Sequence, residues 1–457
     1  MNRDILRIAI PGIVTNITVP LLGIVDLSIV GHMSASPFYA DANLGAAVIG
    51  AISVGGLIFN MVYWLFNFLR MGSSGLTAQA FGRQDGRGER RVLRMGLLVA
   101  LVCGLGIFVL QRPIEWIAHL IIAPTDEVGS LAVAYYRIRI WAAPAVLALF
   151  AMSGWFVGMQ NARFPMYIAI GQNLLNIVLS ALLVFVAGMG VEGVALGTVI
   201  SQYAGLAAAL VLVSRSRLHA ESDASPVVHQ VGWSAFFTVN RDIFLRMVCL
   251  IAVTTAFTSF GARQGDLLLA VNTLLIQLFL IFSYFSDAFS LAGEALVGKY
   301  VGMEQTERQQ AAQSGIRASG LLARVQLQRC VRLLFLWASG ITLVFTLLYV
   351  TGADLLLRIL TDDAEVTRAA RTYLPWSFAV PVAGFAAFMW DGIFIGATAT
   401  RLMMYTLLLS ALVFFGLWWL PLPLPSNHHL WLCFIAYLAT RSLYQTWLAR
   451  RVILLSS

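Results

Sequence analysis

Tyr136, Pro144, Gly154-Trp155-Phe156-Val157-Gly158 and Arg163 follow one another in the first half of the chain; Tyr373, Pro381, Gly392-Ile393-Phe394-Ile395-Gly396 and Arg401 follow in the second, with the same spacing apart from one residue. Both stretches lie in apolar surroundings. The chain therefore reads as two tandem copies of one membrane unit, an organisation that suits a transporter with two similar halves.

Composition supports the membrane reading. Hydrophobic residues make up 59% of the 457, charged residues only 11%, and the mean hydropathy is +0.82. A water-soluble domain of this composition would be coated in apolar surface, whereas a bilayer rewards such a surface. The net charge of +8 is almost wholly arginine, since Lys299 is the single lysine. These arginines cluster in particular loops, which bears on topology and gives no sign of a nucleic-acid partner. Cys103, Cys249, Cys330 and Cys433 show neither paired nor metal-ligand spacing and read as small buried hydrophobes. His32, His119, His219, His229, His428 and His429 fit no metal or triad pattern, so neither an enzyme nor a cofactor is expected.

Twelve apolar segments have the length of a membrane-crossing helix: 8–30, 44–69, 92–111, 131–158, 165–187, 190–214, 242–262, 266–293, 330–351, 371–397, 402–421 and 428–448. The expected fold is an all-α polytopic membrane protein, with residues 1–214 as an N-terminal six-helix lobe, 215–240 as a cytoplasmic linker and 241–457 as a C-terminal six-helix lobe. An even number of spans per copy returns each copy to the same side, so the lobes are expected to be related by a pseudo-two-fold along the membrane normal. Arg83, Arg87, Arg90, Arg91 and Arg94 lie in one loop, Arg308, Arg317, Arg324 and Arg329 in another, and Arg450 and Arg451 near the end. The alternate loops carry mainly carboxylates, which places both termini in the cytoplasm of a cell (inner) membrane. No cleaved signal peptide is expected, because Met1-Asn2-Arg3-Asp4 runs straight into the first span.

Ionisable groups inside spans are costly and are functional candidates by default. Asp26 stands in span 1. On span 5, Asn173, Asn176 and Ser180 fall at i, i+3 and i+7 as one polar stripe, with Thr198 at a similar depth on span 6 and Tyr135, Tyr136 and Arg139 opening span 4. Low dielectric disfavours a charged carboxylate, which brings reversible proton binding within reach; the same oxygens with Asn176, Ser180 and Thr198 suit Na+ as the alternative ion. The structural alternative is that Asp26 pairs with Arg139 and the amides hold helices together. In the second half Arg246, Asp287, Glu294 and Asp391 form a candidate charge network, with Arg246 expected to meet Asp287 or Glu294. Pro11 and Pro20 give span 1 two places where bending is cheap. Met61, Trp64, Phe66, Phe68, Met152, Trp155, Phe282, Tyr284 and Phe285 are candidates for an adaptable apolar cavity.

Ile10-Pro11-Gly12, Asn16-Ile17-Thr18-Val19-Pro20-Leu21-Leu22-Gly23-Ile24-Val25-Asp26 and Val30-Gly31-His32 resemble the first helix of multidrug and toxic compound extrusion (MATE) transporters, within them the DinF-type branch. Leu69-Arg70-Met71-Gly72, Gly75-Leu76-Thr77-Ala78-Gln79-Ala80-Phe81-Gly82, Asn173-Leu174-Leu175-Asn176, Asn240-Arg241-Asp242-Ile243 and Asp391-Gly392-Ile393-Phe394-Ile395-Gly396-Ala397 extend the likeness over nearly the whole chain. The resemblance implies a V-shaped pair of lobes exporting amphiphilic, often cationic compounds against protons or sodium. It implies Asp26 as coupling carboxylate, Asn176 and Thr198 as its partners, Pro11 and Pro20 as bending points, and Tyr135 or Tyr136 at the site. Two departures stand out: Ser180 occupies a place where relatives usually have a second aspartate, and the polar stretch 303–324 reads as a cytoplasmic amphipathic helix.

The resulting expectation is a secondary multidrug efflux antiporter that acts by alternating access, with protonation of Asp26 coupled to bending of span 1. Its partners are small amphiphilic or cationic substrates and membrane lipids, and a monomer is expected. The alternatives are a flippase for a lipid-linked precursor, and a channel or sensor without ion coupling.

Overall fold

A computed structural model describes residues 1–32, 42–122, 125–216, 231–314 and 321–450. Among these residues there is no strand. In chain order the helices are α1 (Asn2–Gly31), α2 (Ala42–Leu65), α3 (Phe68–Gly82), α4 (Gly86–Val109), α5 (Gln111–Ile122), α6 (Asp126–Arg139), α7 (Ala143–Gly158) and α8 (Arg163–Ala181). They continue with α9 (Gly190–Arg215), α10 (Trp233–Ala262), α11 (Asp266–Ser314), α12 (Leu321–Leu360), α13 (Ala364–Gly396), α14 (Thr400–Trp419) and α15 (Ser426–Ala449). Ten stretches of described helix are long and apolar enough to cross a membrane, with α2–α3 and α6–α7 each counted as one. α1 and α15, at 30 and 24 residues, have the length to cross as well, and with them the rods number twelve. The protein is an all-α polytopic membrane protein.

The chain divides into two compact units. A C-terminal unit comprises Met1–Ile13, Ser74–Gln84 and Ser234–Ser457, and an N-terminal unit comprises Val14–Ser73 and Asp85–Trp233. The start of α1 and the end of α3 thus belong with the second half of the sequence, unlike the boundaries expected from the spans. Small residues account for the placement of α3. A Cβ on Gly82 would collide with the Lys299 carbonyl of α11, one on Gly302 with the Gln79 carbonyl of α3, and one on Gly75 with the Ile395 carbonyl of α13. The Gly82 and Gly302 contacts mirror each other across one helix crossing, and side chains larger than hydrogen cannot enter it. Gln79 secures the crossing by donating to the Gly396 carbonyl at 3.0 Å and to Thr398 Oγ1 at 3.1 Å.

The duplication read from the sequence is repeated in the backbone. α7 and α13 both end on a left-handed, non-glycine residue, Gln160 (φ 61°) and Thr398 (φ 54°). Each end is closed by the same hydrogen bonds: Asn161 N to Phe156 O and Gln160 N to Val157 O, then Ala399 N to Phe394 O and Thr398 N to Ile395 O. This pairing satisfies carbonyls that a helix end would otherwise leave bare. The first glycine of each motif has the same use within its own unit. Gly154 lies against the Arg70 carbonyl and Gly392 against the Ser290 carbonyl, too close for a Cβ in either case.

Several boundaries differ from the sequence reading. Span 4 is interrupted by a tight turn at Ile140–Ala142, where Pro144 sits in the first turn of α7 and cannot continue the hydrogen bonding of α6. α10 begins at Trp233, so the end of the expected linker is helical, while 217–230 lie outside the described residues. Among the described residues of 303–324 there is no separate helix, and 315–320 lie outside them. α11 runs on to Ser314 as 49 residues, roughly 73 Å, and α12 begins at Leu321. Glu307 reaches from α11 to accept from the Ala323 backbone N–H at 3.3 Å, satisfying one of the bare donors at the start of α12.

Candidate functional site

The N-terminal unit gathers most of the stripe predicted on span 5. Asn176 of α8 is buried and donates from Nδ2 to Thr198 Oγ1 of α9 at 2.9 Å; Thr198 in turn donates to the Val194 carbonyl at 3.0 Å. Ser180 is fully buried one turn further along, packed on Gly197 beside Thr198, and its Oγ has no hydrogen-bond partner among the described residues. An unpaired buried hydroxyl costs free energy, so this corner of the site holds unused polar capacity. Asn173 faces α1, donating to the Thr18 carbonyl at 3.2 Å. That bond lies two residues before Pro20 and two helical turns before Asp26. The backbone of Asp26 continues α1, and its side chain, with that of Pro20, lies outside the described residues. Pro11 is buried, and α1 is helical through both prolines.

Tyr135, Tyr136 and Arg139 form a second cluster, seated on α2. Arg139 donates to the Tyr135 hydroxyl and lies over the rings of Phe59 and Tyr135, 5.0 and 5.4 Å from their centroids. Tyr136 stacks on Phe59 at 5.3 Å and donates to the Gln111 carbonyl at 3.2 Å. α9 packs against both α6 and α8, and so connects this cluster to the amide stripe. Phe59 was missed by sequence reasoning, since an aromatic in an apolar helix carries no signal of its partner. Gln172 was also missed. It donates to Gln202 at 3.0 Å and extends the stripe, and its place next to Asn173 was a legible clue. Met152 and Trp155, offered as cavity candidates, are core residues instead: Trp155 is fully buried and donates to the Glu89 carbonyl at 2.9 Å. Among the described residues no group of three or more His, Cys, Asp or Glu side chains could hold a metal ion.

The C-terminal unit holds a different kind of cluster. Asp391 of α13 accepts at Oδ2 from Arg246 of α10 and from Arg441 of α15, and at Oδ1 from Gln445 at 2.9 Å. Asp391, Arg246 and Arg441 are 3–4% exposed and Gln445 is fully buried. Arg246 therefore meets Asp391, a member of the charge network read from the sequence, and α15, packed on α13, brings Arg441 to the same carboxylate. Glu294 is buried further along α11, its carbonyl against Gly396, while the Asp287 side chain is exposed. Arg441 was missed although it stands inside span 12, where the rule that flagged Asp391 applies equally.

A family model described as MatE matches residues 11–182 and 317–420. The chain is 34% identical over 447 residues to the DNA damage-inducible protein F of Escherichia coli (strain K12), an alignment covering 97% of this chain and 90% of that relative. The chain belongs to the MatE family. Another relative, Protein DETOXIFICATION 44, chloroplastic, of Arabidopsis thaliana, is 24% identical over 90% of this chain and 75% of its own length. The fold matches a Vibrio cholerae MATE transporter solved in the bent form with a TM-score of 0.77, at 14% identity, covering 99% of this chain and 96% of that one. As a MatE protein the chain is a multidrug and toxin extrusion transporter, not an enzyme, and its resemblance to the DinF-type branch holds at the level of the whole sequence.

Proposed function

We propose that this MatE protein exports amphiphilic, often cationic compounds across the inner membrane in exchange for protons, with Na+ as the alternative ion. Both termini lie in the cytoplasm, and the two lobes, 1–214 and 241–457 joined by 215–240, are the halves that move. Asp26 is the coupling carboxylate, and its protonation is linked to bending of α1 between Pro11 and Pro20.

The observation that carries this reading is the Asn173 bond to the Thr18 carbonyl. It ties the buried Asn176–Thr198 pair to the helix that bears Asp26, so a change of charge on that helix has a polar neighbour to act on. Support for bending comes from the division of α1 itself, which passes from one compact unit to the other at Ile13–Val14, between the two prolines. Missing N–H donors there lower the cost of a bend. Ser180, with its unpartnered hydroxyl beside Thr198, supplies a polar neighbour in place of a second acid.

The test is efflux of a fluorescent cationic dye from everted vesicles, with a proton or a sodium gradient imposed separately, for wild type and Asp26→Asn. The proposal expects proton-driven efflux in wild type and its loss in a normally inserted Asp26→Asn. Equal transport by both proteins under either gradient would remove Asp26 from coupling.

A further inference from the structure

In the N-terminal unit, α4 presents two unlike faces. Val92, Met95, Ala100 and Ile107 are buried on one, where Gly96 and Gly104 lie close against Ala151 and Pro144 of α7. The opposite face is exposed and changes character once along its length. Arg87, Arg90, Arg91 and Arg94 come first, and Leu98, Leu101, Val102, Leu105 and Val109 follow, these last 49–75% exposed. At 3.6 residues per turn all of these positions fall within roughly 120° of the helix circumference, as one continuous stripe. Its dimensions match one leaflet. Leu98 to Val109 covers roughly 16 Å, about half of a ~30 Å hydrocarbon core, and Arg87 to Arg94 adds about 10 Å, enough to pass through the headgroup layer.

Neighbouring helices add to the charge at this end. Leu93 of α4, Phe164 of α8 and Val213 of α9 pack on one buried core, so the exposed Arg163 and Arg215, within two residues of that core in sequence, stand at the same end of the unit as Arg94. The carboxylates of the stretch are withdrawn. Glu89 is fully buried, and Asp85 is half-buried and accepts from the Gly88 N–H at 2.8 Å to cap α4. The charge that these residues offer outward is therefore positive, and it lies directly above an apolar strip that only lipid tails can cover in a bilayer. The second copy lacks this division. α12 packs on α13 as α4 packs on α7, yet its exposed Arg329 and Arg332 have Leu321, Leu322 and Val325 on one side and Leu336 on the other, so no boundary between headgroup and tail is marked there.

We propose that the exposed stripe of α4 is a binding site for an anionic phospholipid, whose phosphate is held by Arg87, Arg90, Arg91 and Arg94 and whose acyl chain lies along Leu98, Leu101, Val102, Leu105 and Val109. Guanidinium groups suit this role because their planar forks match phosphate oxygens, while their apolar stems rest on the hydrocarbon surface below. Inorganic phosphate shares the headgroup chemistry but has nothing to lay against the leucines. The site lies on the outer wall of the N-terminal unit and does not depend on which ion or compound is carried.

Native mass spectrometry of the full-length protein in neutral detergent, titrated with phosphatidylglycerol or phosphatidylcholine of identical acyl chains, reads the affinity for the first lipid bound. Wild type is expected to hold phosphatidylglycerol roughly tenfold or more tighter than phosphatidylcholine. Arg91→Gln/Arg94→Gln is expected to cut that preference about threefold or more, Arg94→Gln alone by a smaller factor, and Arg91→Lys/Arg94→Lys to retain most of it. Arg329→Gln/Arg332→Gln removes the same charge from α12 and is expected to leave the preference unchanged. Equal affinity of wild type for the two lipids overturns the site, and so does an unchanged preference in both Gln variants of α4. An equal loss in the α4 and α12 pairs also overturns it, because the effect is then one of net charge. Displacement of phosphatidylglycerol by inorganic phosphate at equal concentration does the same, since phosphate lacks the chain assigned to the leucines.

Discussion

Asp391→Asn removes one negative charge from a buried cluster and leaves Arg246 and Arg441 facing each other without it. The wild-type carboxylate receives two charge-assisted bonds from guanidinium groups and a third bond from Gln445. Losing one member of a buried ion pair costs about 3–5 kcal/mol, because the remaining charge stays desolvated. Two like charges remain here, which puts Asp391→Asn at the upper end of that range. Arg441→Gln is the informative contrast. It leaves Arg246 and Gln445 on Asp391 in a neutral arrangement, and so costs less, of order 1–3 kcal/mol for lost charge-assisted bonding. For a unit of this size each kcal/mol lowers the melting temperature by about 2–4 °C, so Asp391→Asn falls by roughly 10 °C or more and Arg441→Gln by about half as much. Thermal unfolding of the purified variants in detergent, followed by intrinsic fluorescence, measures both. An Asp391→Asn melting within about 2 °C of wild type, or below Arg441→Gln in cost, would refute the idea that this carboxylate holds the two arginines together.

Gly82→Val or Gly302→Val places a branched side chain where the Lys299 or Gln79 carbonyl already lies against the α-carbon, so each is expected to lose well over 2 kcal/mol and to yield little folded protein, read by size-exclusion profile after expression. Gly106→Ala and Gly340→Ala, helical glycines with nothing within 4 Å of an added Cβ, are expected to be neutral or slightly stabilising in the same assay. Gln160→Gly and Thr398→Gly relieve left-handed backbone at φ 61° and 54°; each is expected to raise the melting temperature slightly through about 1 kcal/mol of relief. Thr398→Gly shows the smaller gain, because it also removes the hydroxyl that accepts from Gln79.

Patterns that repeat along the chain were legible in the sequence, and pairings across it were not. The helical spans follow from apolar run lengths, and the stripe of Asn173, Asn176 and Ser180 follows from helical periodicity, because both depend only on neighbours in sequence. Asn176 and Thr198 were brought to one site by depth alone, which works when two antiparallel helices are adjacent. That Arg246 and Arg441 converge on Asp391 required knowing which faces of α10, α13 and α15 meet, which depth along a span does not give. The extent of α11 was misjudged for another reason. Its polar segment after Gly302 has no helix breaker, so the backbone continues where composition alone suggested a new element. The allocation of α3 to the C-terminal unit was encoded by Gly75 and Gly82, but a glycine in a span announces close packing without naming the carbonyl it meets.

Comparing the two copies separates what the duplication retained from what it changed. Retained are the glycines that lie against a carbonyl, Gly154 and Gly392, and the left-handed helix ends after them, all of which are backbone geometry. Changed is the polar chemistry. The first copy places neutral amides and hydroxyls on α8 and α9, groups whose hydrogen bonds can rearrange when a nearby charge appears or disappears. The second places two guanidinium groups on one buried carboxylate, an arrangement in which any change of charge is expensive. A shared scaffold thus carries one adaptable polar region and one fixed one, and under the coupling proposal it is the adaptable region of the first copy that absorbs a change of charge at Asp26. Asp26→Asn is then expected to lose proton-driven efflux with little change in melting temperature, whereas Asp391→Asn loses stability first.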